Sequence, residues 1–115
     1  MTPPHLAPFT EAGDLVFLSG QLAFGADGTI TRSDISAQTE QVLANLISVL
    51  GSAGLTLSDV VKTNVWLTQA ADFAAFNTAY ARVFGDLRPA RSTVVSALAH
   101  PAALVEIDAI ARRVA

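Results

Sequence analysis

The chain has no cysteine and only two histidines, His5 and His100, in 115 residues. Without thiols there is no disulfide framework, no thiolate nucleophile and no thiolate metal site, and two histidines alone cannot assemble a metal centre. Charge is scarce as well: 15% of residues are charged against a usual ~25%, while 51% are apolar. So few charges cannot readily coat a monomer, which favours an oligomer. The seven basic residues are scattered apart from Arg112-Arg113, and the net charge is −3. That leaves no electrostatic footprint for a phosphate backbone, so nucleic acid is not an expected partner. No apolar run approaches the ~18 residues of a membrane span. The start, Met1-Thr2-Pro3-Pro4-His5, has neither the basic region nor the apolar stretch of a signal peptide. The expectation is a soluble cytoplasmic protein with no membrane partner, folded as a single domain over residues 1–115 around one core.

What is present alternates between two periods. Leu15-Val16-Phe17-Leu18-Ser19, bounded by Gly13-Asp14 and Gly20, is short enough to be a buried strand rather than a helix. Gly25-Ala26-Asp27-Gly28 makes a turn, with room for a short second strand after the first. From a cap at Ser33 or Asp34, apolar residues at Ile35, Val42, Leu43, Leu46, Ile47, Val49 and Leu50 recur at helical spacing until Gly51 and Gly54. Val61, Thr63, Val65 and Leu67 then alternate with Lys62, Asn64 and Trp66, which predicts a strand with one more polar face. A second helix is capped by Asp72, carries Phe73, Phe76, Tyr80, Val83 and Phe84 inward, and stops at Gly85. Two further strand-like runs follow, 89–95 and 104–111, joined through His100 and Pro101 in a turn. The order predicts an α+β fold with two helices on one face of a mixed sheet.

The last two strands each carry a charge where an apolar residue would fit the pattern, Arg91 and Glu106. A guanidinium presents a planar fork that matches a carboxylate bidentately, and a nearby carboxylate can orient or deprotonate a water, so the pair suits hydrolysis of a small acid. The alternative is an ordinary ion pair or two solvated strand residues. Val105, Ile107, Ala109 and Ala111 share one face of the last strand, and Leu104, Glu106, Asp108 and Ile110 share the other. A subunit interface containing a wet pocket would reconcile aliphatic and acidic residues on that second face. Were the last two strands a hairpin centred on Pro101, Arg91 would stand opposite roughly residue 111, about 16 Å along the strand from Glu106.

These residues also carry a likeness. Pro89-Ala90-Arg91-Ser92-Thr93-Val94, Val105-Glu106-Ile107-Asp108-Ala109-Ile110-Ala111 and Ser19-Gly20-Gln21 resemble the reactive-intermediate deaminase family, also called the RidA or YjgF family. Asp59-Val60-Val61-Lys62-Thr63-Asn64-Val65-Trp66-Leu67 and Asp72-Phe73-Ala74-Ala75-Phe76-Asn77-Thr78-Ala79-Tyr80 extend the resemblance over nearly the whole chain. It implies a chorismate-mutase-like fold, a homotrimer with a barrel-like core, and cofactor-independent, metal-free hydrolysis of 2-aminoacrylate or related enamines and imines to 2-oxo acids and ammonia. Carried onto this chain, it makes Arg91 and Glu106 catalytic and Phe9, Ser19, Gly20, Asn77 and Thr93 substrate-binding. Phe9 stands where many members have tyrosine, and it lacks the hydroxyl. Thr93 stands where a cysteine is frequent, so a thiol is not needed for the chemistry. Tyr80 fits the helical core stripe equally well. A trimeric receptor that binds small 2-oxo or amino acids without turning them over is the alternative, and a ribonuclease, as some members are described, fits the acidic charge poorly.

Overall fold

A computed structural model describes residues 3–31 and 33–114. Strands β1 (Phe9–Ala12), β2 (Leu15–Gln21), β3 (Val60–Leu67), β4 (Ala90–Val95) and β5 (Val105–Arg112) form one sheet in the order β1-β2-β5-β3-β4. Helices α1 (Ile35–Ser52) and α2 (Phe73–Phe84) complete the mixed α+β architecture. Parallel neighbours need a crossover, and α2 supplies it between β3 and β4, while β1–β2, β2–β5 and β5–β3 are antiparallel.

α1 begins where the sequence predicts it. Asp34 adopts extended backbone and its carboxylate accepts the Ala37 N–H at 2.9 Å, a cap of about 1 kcal/mol. Val42, Leu43, Leu46 and Leu50 are buried against the sheet, whereas Ile47 is exposed. Each fully buried leucine here is a position where truncation to alanine costs about 2–5 kcal/mol. α2 ends at Gly85 with φ 60°, a backbone conformation that suits glycine, whose N–H reaches the Ala81 carbonyl at 2.8 Å.

Several expectations need correction. The extra strand lies before β2, as β1, and the segment after β2 makes only an isolated bridge between Phe24 and Ile30. Val61 is exposed rather than inward, because β3 shifts register against β5 between Val60 and Lys62. Phe73 is exposed as well, sitting at the very first turn of α2, and Asp72 precedes it in a 3₁₀ turn without a side-chain cap bond. The hairpin does not form: β3 lies between β4 and β5. The connection from β4 to β5 crosses the end of β3, where Ser96 N–H donates to Leu67 O at 2.8 Å and Thr68 N–H to Leu104 O at 3.1 Å. This places β5 inside the sheet, which its near-zero exposure at Val105, Ile107 and Ala111 requires.

One buried polar residue sets where β5 starts. Gln38 of α1 is 2% exposed, yet both ends of its amide are satisfied: Nε2 donates to Ala102 O at 2.9 Å and Oε1 accepts Leu104 N–H at 2.8 Å. A buried amide with both partners is tolerated and directional, so it fixes the phase of the strand that carries Glu106.

Candidate active site

Sheet register decides which charges can meet. Arg91 stands level with Thr63 and, beyond it, Ala109, whereas Glu106 stands level with Trp66 and Val94. Thr63 and Trp66 have opposite parity on one strand, so their rows project from opposite faces. Burial agrees: Thr63 and Ala109 lie under the helices, and Glu106 and Trp66 are half-buried on the other, open face. One chain therefore carries two separate clusters.

The first surrounds Arg91. Its Nη2 donates to Asn77 Oδ1 of α2 at 2.8 Å. Its guanidinium carbon lies 4.8 Å from the Tyr80 ring centre, 5.2 Å from Phe76 and 5.9 Å from Phe73, within cation–π range of each. Among the described residues no carboxylate pairs with it. Tyr80 is held in turn by an O–H···O bond of 2.8 Å with Thr63 and by stacking on Phe84 at 4.4 Å. Burial raises the Tyr80 pKa, against the hydrogen bond shared with Thr63 and the charge of Arg91, so the ring is a neutral wall. Thr93 shares this face one row further on, and its buried Oγ1 has no partner among the described residues. Asn77, Tyr80 and Arg91 line a cleft of about 300 Å³ closed on its other side by Phe84, Leu87, Arg88 and Pro89.

The second cluster surrounds Glu106. Burial, and then the neighbouring Asp108 charge, raise its pKa above the ordinary value. Asp108 is anchored, its Oδ1 accepting Asn64 Nδ2–H at 2.9 Å, while no hydrogen bond is found for Glu106 among the described residues. Gly20 packs directly on it: an added Cβ would collide with Glu106 Oε2 and stand 3.1 Å from Cδ. The missing side chain there is what leaves space for the carboxylate. Ser19 is committed to structure, with Oγ–H donating to Ala7 O at 2.6 Å and N–H to Pro8 O at 3.0 Å. Phe9 pairs with Leu18 and packs at the margin of the helix-covered core, so it does not share a face with Glu106.

The structure thus brings Arg91, Asn77 and Thr93 together, and separately Glu106 with Gly20 and the adjoining Ser19. Sequence reasoning left Tyr80 between core and site, and it did not reach Gln38 at all. The three rings about Arg91 were legible as a helical stripe, but a stripe does not reveal which strand residue it will meet.

This mixed sheet with its two helices is the fold of the solved YjgF and RidA proteins. Residues 4–113 match the family described as Endoribonuclease L-PSP, and the chain belongs to this family, which includes the YjgF, RutC and RidA proteins. It is 39% identical over 114 residues to the 3-aminoacrylate deaminase RutC of Acinetobacter baylyi, covering 96% of this chain and 90% of the relative. The RidA structure from an Antarctic Psychrobacter superposes with a TM-score of 0.90 at 32% identity, covering 98% of this chain and 92% of that one. The Escherichia coli TdcF structure with bound serine gives a TM-score of 0.89 at 31% identity, covering 99% and 91%.

Proposed function

We propose that this protein hydrolyses 2-imino acids and their enamine tautomers, such as 2-aminoacrylate, to 2-oxo acids and ammonia, in pockets between the subunits of a homotrimer. The observation that carries it is the state of Arg91, a positioned guanidinium with an amide and three rings around it and no acidic partner among the described residues. An ion pair would satisfy the fork; rings and an amide leave its charge and most of its N–H groups for a ligand carboxylate. The name of the Acinetobacter relative supplies the reaction class.

Glu106 supplies the proton traffic. Its carboxylate takes a proton from water as the oxygen adds to the imine carbon and passes that proton to the imine nitrogen, giving a neutral carbinolamine. It then takes the carbinolamine hydroxyl proton as the C=O bond forms and hands it to the amine nitrogen as the C–N bond breaks and ammonia leaves, so atoms and charge balance and the carboxylate is regenerated. A raised pKa suits a group that must accept and return a proton near neutrality. Because Arg91 and Glu106 face opposite sides of one sheet, the β4 margin of one subunit meets the open face of the next in this proposal. Phe17 and Val94, exposed apolar residues of the open face, are then covered.

A non-catalytic receptor for small 2-oxo or amino acids is the second reading, favoured by the serine held in the TdcF structure. Coupling a pyridoxal-phosphate dehydratase to this protein and following imine decay by absorbance separates the two. Faster decay than the spontaneous rate supports the enzyme, and unchanged decay with measurable ligand binding supports the receptor. Light scattering reads the trimer directly.

A further inference from the structure

The cleft beside Arg91 holds a second arginine that the imine chemistry does not use. Among the described residues, Arg82 pairs with Glu40, Arg112 with Asp14 and Arg113 with Glu11. Arg88 and Arg91 form no such pair, and both line the same cleft of about 300 Å³. No carboxylate lines it; Asp86, on the same turn, is absent from its walls. In a chain of net charge −3, the unneutralised positive charge of the described arginines is gathered at one concavity. Such a cavity focuses potential for an anion more strongly than either charge alone.

The segment carrying Arg88 is also pre-set. Gly85 N–H donates to Ala81 O at 2.8 Å and Leu87 N–H to Phe84 O at 3.1 Å, so the turn is tied to the end of α2. Pro89 then restricts the backbone between the two arginines. Little ordering remains to be done when a ligand arrives.

We propose that this cleft selects substrates with two anionic groups, Arg91 taking the carboxylate next to the imine carbon and Arg88 a second carboxylate at the far end of a short chain. The preferred substrates are then imines of dicarboxylic 2-oxo acids, and the reaction that supplies them passes two electrons from an acidic amino acid to an electron acceptor or eliminates water from one that bears a 3-hydroxyl. This inference rests on Arg91 being the carboxylate anchor.

The test compares 2-oxopentanoate with 2-oxoglutarate, which share a five-carbon skeleton and differ in the terminal carboxylate, by calorimetric titration of the wild-type protein and Arg88→Ala. The wild type is expected to prefer the dicarboxylate by about threefold to tenfold, the scale of one exposed charge contact. Arg88→Ala is expected to lose that preference because its 2-oxoglutarate affinity falls severalfold further than its 2-oxopentanoate affinity, and raising salt is expected to erode the wild-type preference. Equal wild-type affinities, or an Arg88→Ala effect of the same size on both ligands, overturn the inference and leave the Arg91 anchor standing. Binding of neither ligand overturns both.

Discussion

Each face of the sheet keeps one charge without an ionic partner among the described residues, by different means. Under the helices, Arg91 is held by neutral groups, the Asn77 amide and the rings of Phe73, Phe76 and Tyr80, and no carboxylate among the described residues pairs with it. On the open face, Asp108 is anchored by Asn64, whereas Glu106, two residues away on the same strand, is desolvated, without a hydrogen bond among the described residues, and pressed against a glycine. A charge that only needs solubility is paired or hydrated. One kept partly dry and unpaired costs stability, and such costs gather where a ligand will repay them.

The largest effect is expected at Arg91. Arg91→Ala is expected to lower affinity for a 2-oxo acid about a hundredfold or more and to abolish hydrolysis, with Arg91→Lys restoring only part because an ammonium cannot make the bidentate contact. Unchanged affinity by calorimetry would make Arg91 a structural residue. If the two clusters belong to one pocket across an interface, Arg91→Ala and Glu106→Gln subunits, each inactive alone, recover activity when refolded together. Random assortment in a symmetric oligomer gives about a quarter of wild-type turnover. No recovery would place both groups in the same subunit's pocket or outside the chemistry.

Glu106→Gln keeps the shape while removing the proton acceptor, so hydrolysis is expected to slow by ~10²-fold with ligand affinity changed only a few fold. Asp108→Asn, two residues along the same face, should lose little. Since burial raises the Glu106 pKa, the acid limb of kcat/KM is expected above the ordinary glutamate range and absent from the Glu106→Gln profile. Stability follows the same sign. The folded state binds this proton more tightly than the unfolded chain, so ionising Glu106 costs stability as pH rises through its folded pKa. Glu106→Gln should therefore melt at or above the wild-type temperature at neutral pH, and calorimetry below the ordinary carboxyl range should show no difference. A lower melting temperature at neutral pH would mean the carboxylate is a stabilising partner.

Gly20→Ala tests the open face without touching a charge. Its new Cβ must push the Glu106 carboxylate aside, and a displacement of that kind is expected to cost about tenfold or more in turnover with the fold retained by circular dichroism. The smallest effect is expected on the covered face. Thr93→Val removes a buried hydroxyl that has no partner among the described residues, so stability should rise by up to about 1 kcal/mol in denaturant titration. If that hydroxyl meets ligand, affinity should fall in the same variant, and the opposite signs distinguish a ligand contact from a packing fault.

Most of the elements were legible from local chemistry. Asp34 caps α1 and Gly85 ends α2 because a short acceptor side chain and a residue free of Cβ meet needs set within a single turn. The alternation in β5 was legible for the same reason, and Val105, Ile107, Ala109 and Ala111 are buried on one side as their spacing requires. The inward placement of Val61 and Phe73 failed for non-local reasons, a register shift against β5 and the exposed first turn of α2.

The candidate site divides along the same line. The sequence by itself determined that Arg91 and Thr93 share a face, that Glu106 and Asp108 share a face, and that Gly20 follows a buried strand, because side-chain direction within a strand has a fixed period of two. Only the tertiary structure decided that β3 runs between β4 and β5, and hence that Arg91 falls in the row of Thr63 while Glu106 falls in the row of Trp66. Which face of one strand joins which face of another depends on pairing between residues distant in the chain. No periodicity within either strand encodes that pairing, whereas the Gln38 amide at the start of β5 and the hydrogen bonds of Ser96 and Thr68 across the end of β3 help fix it.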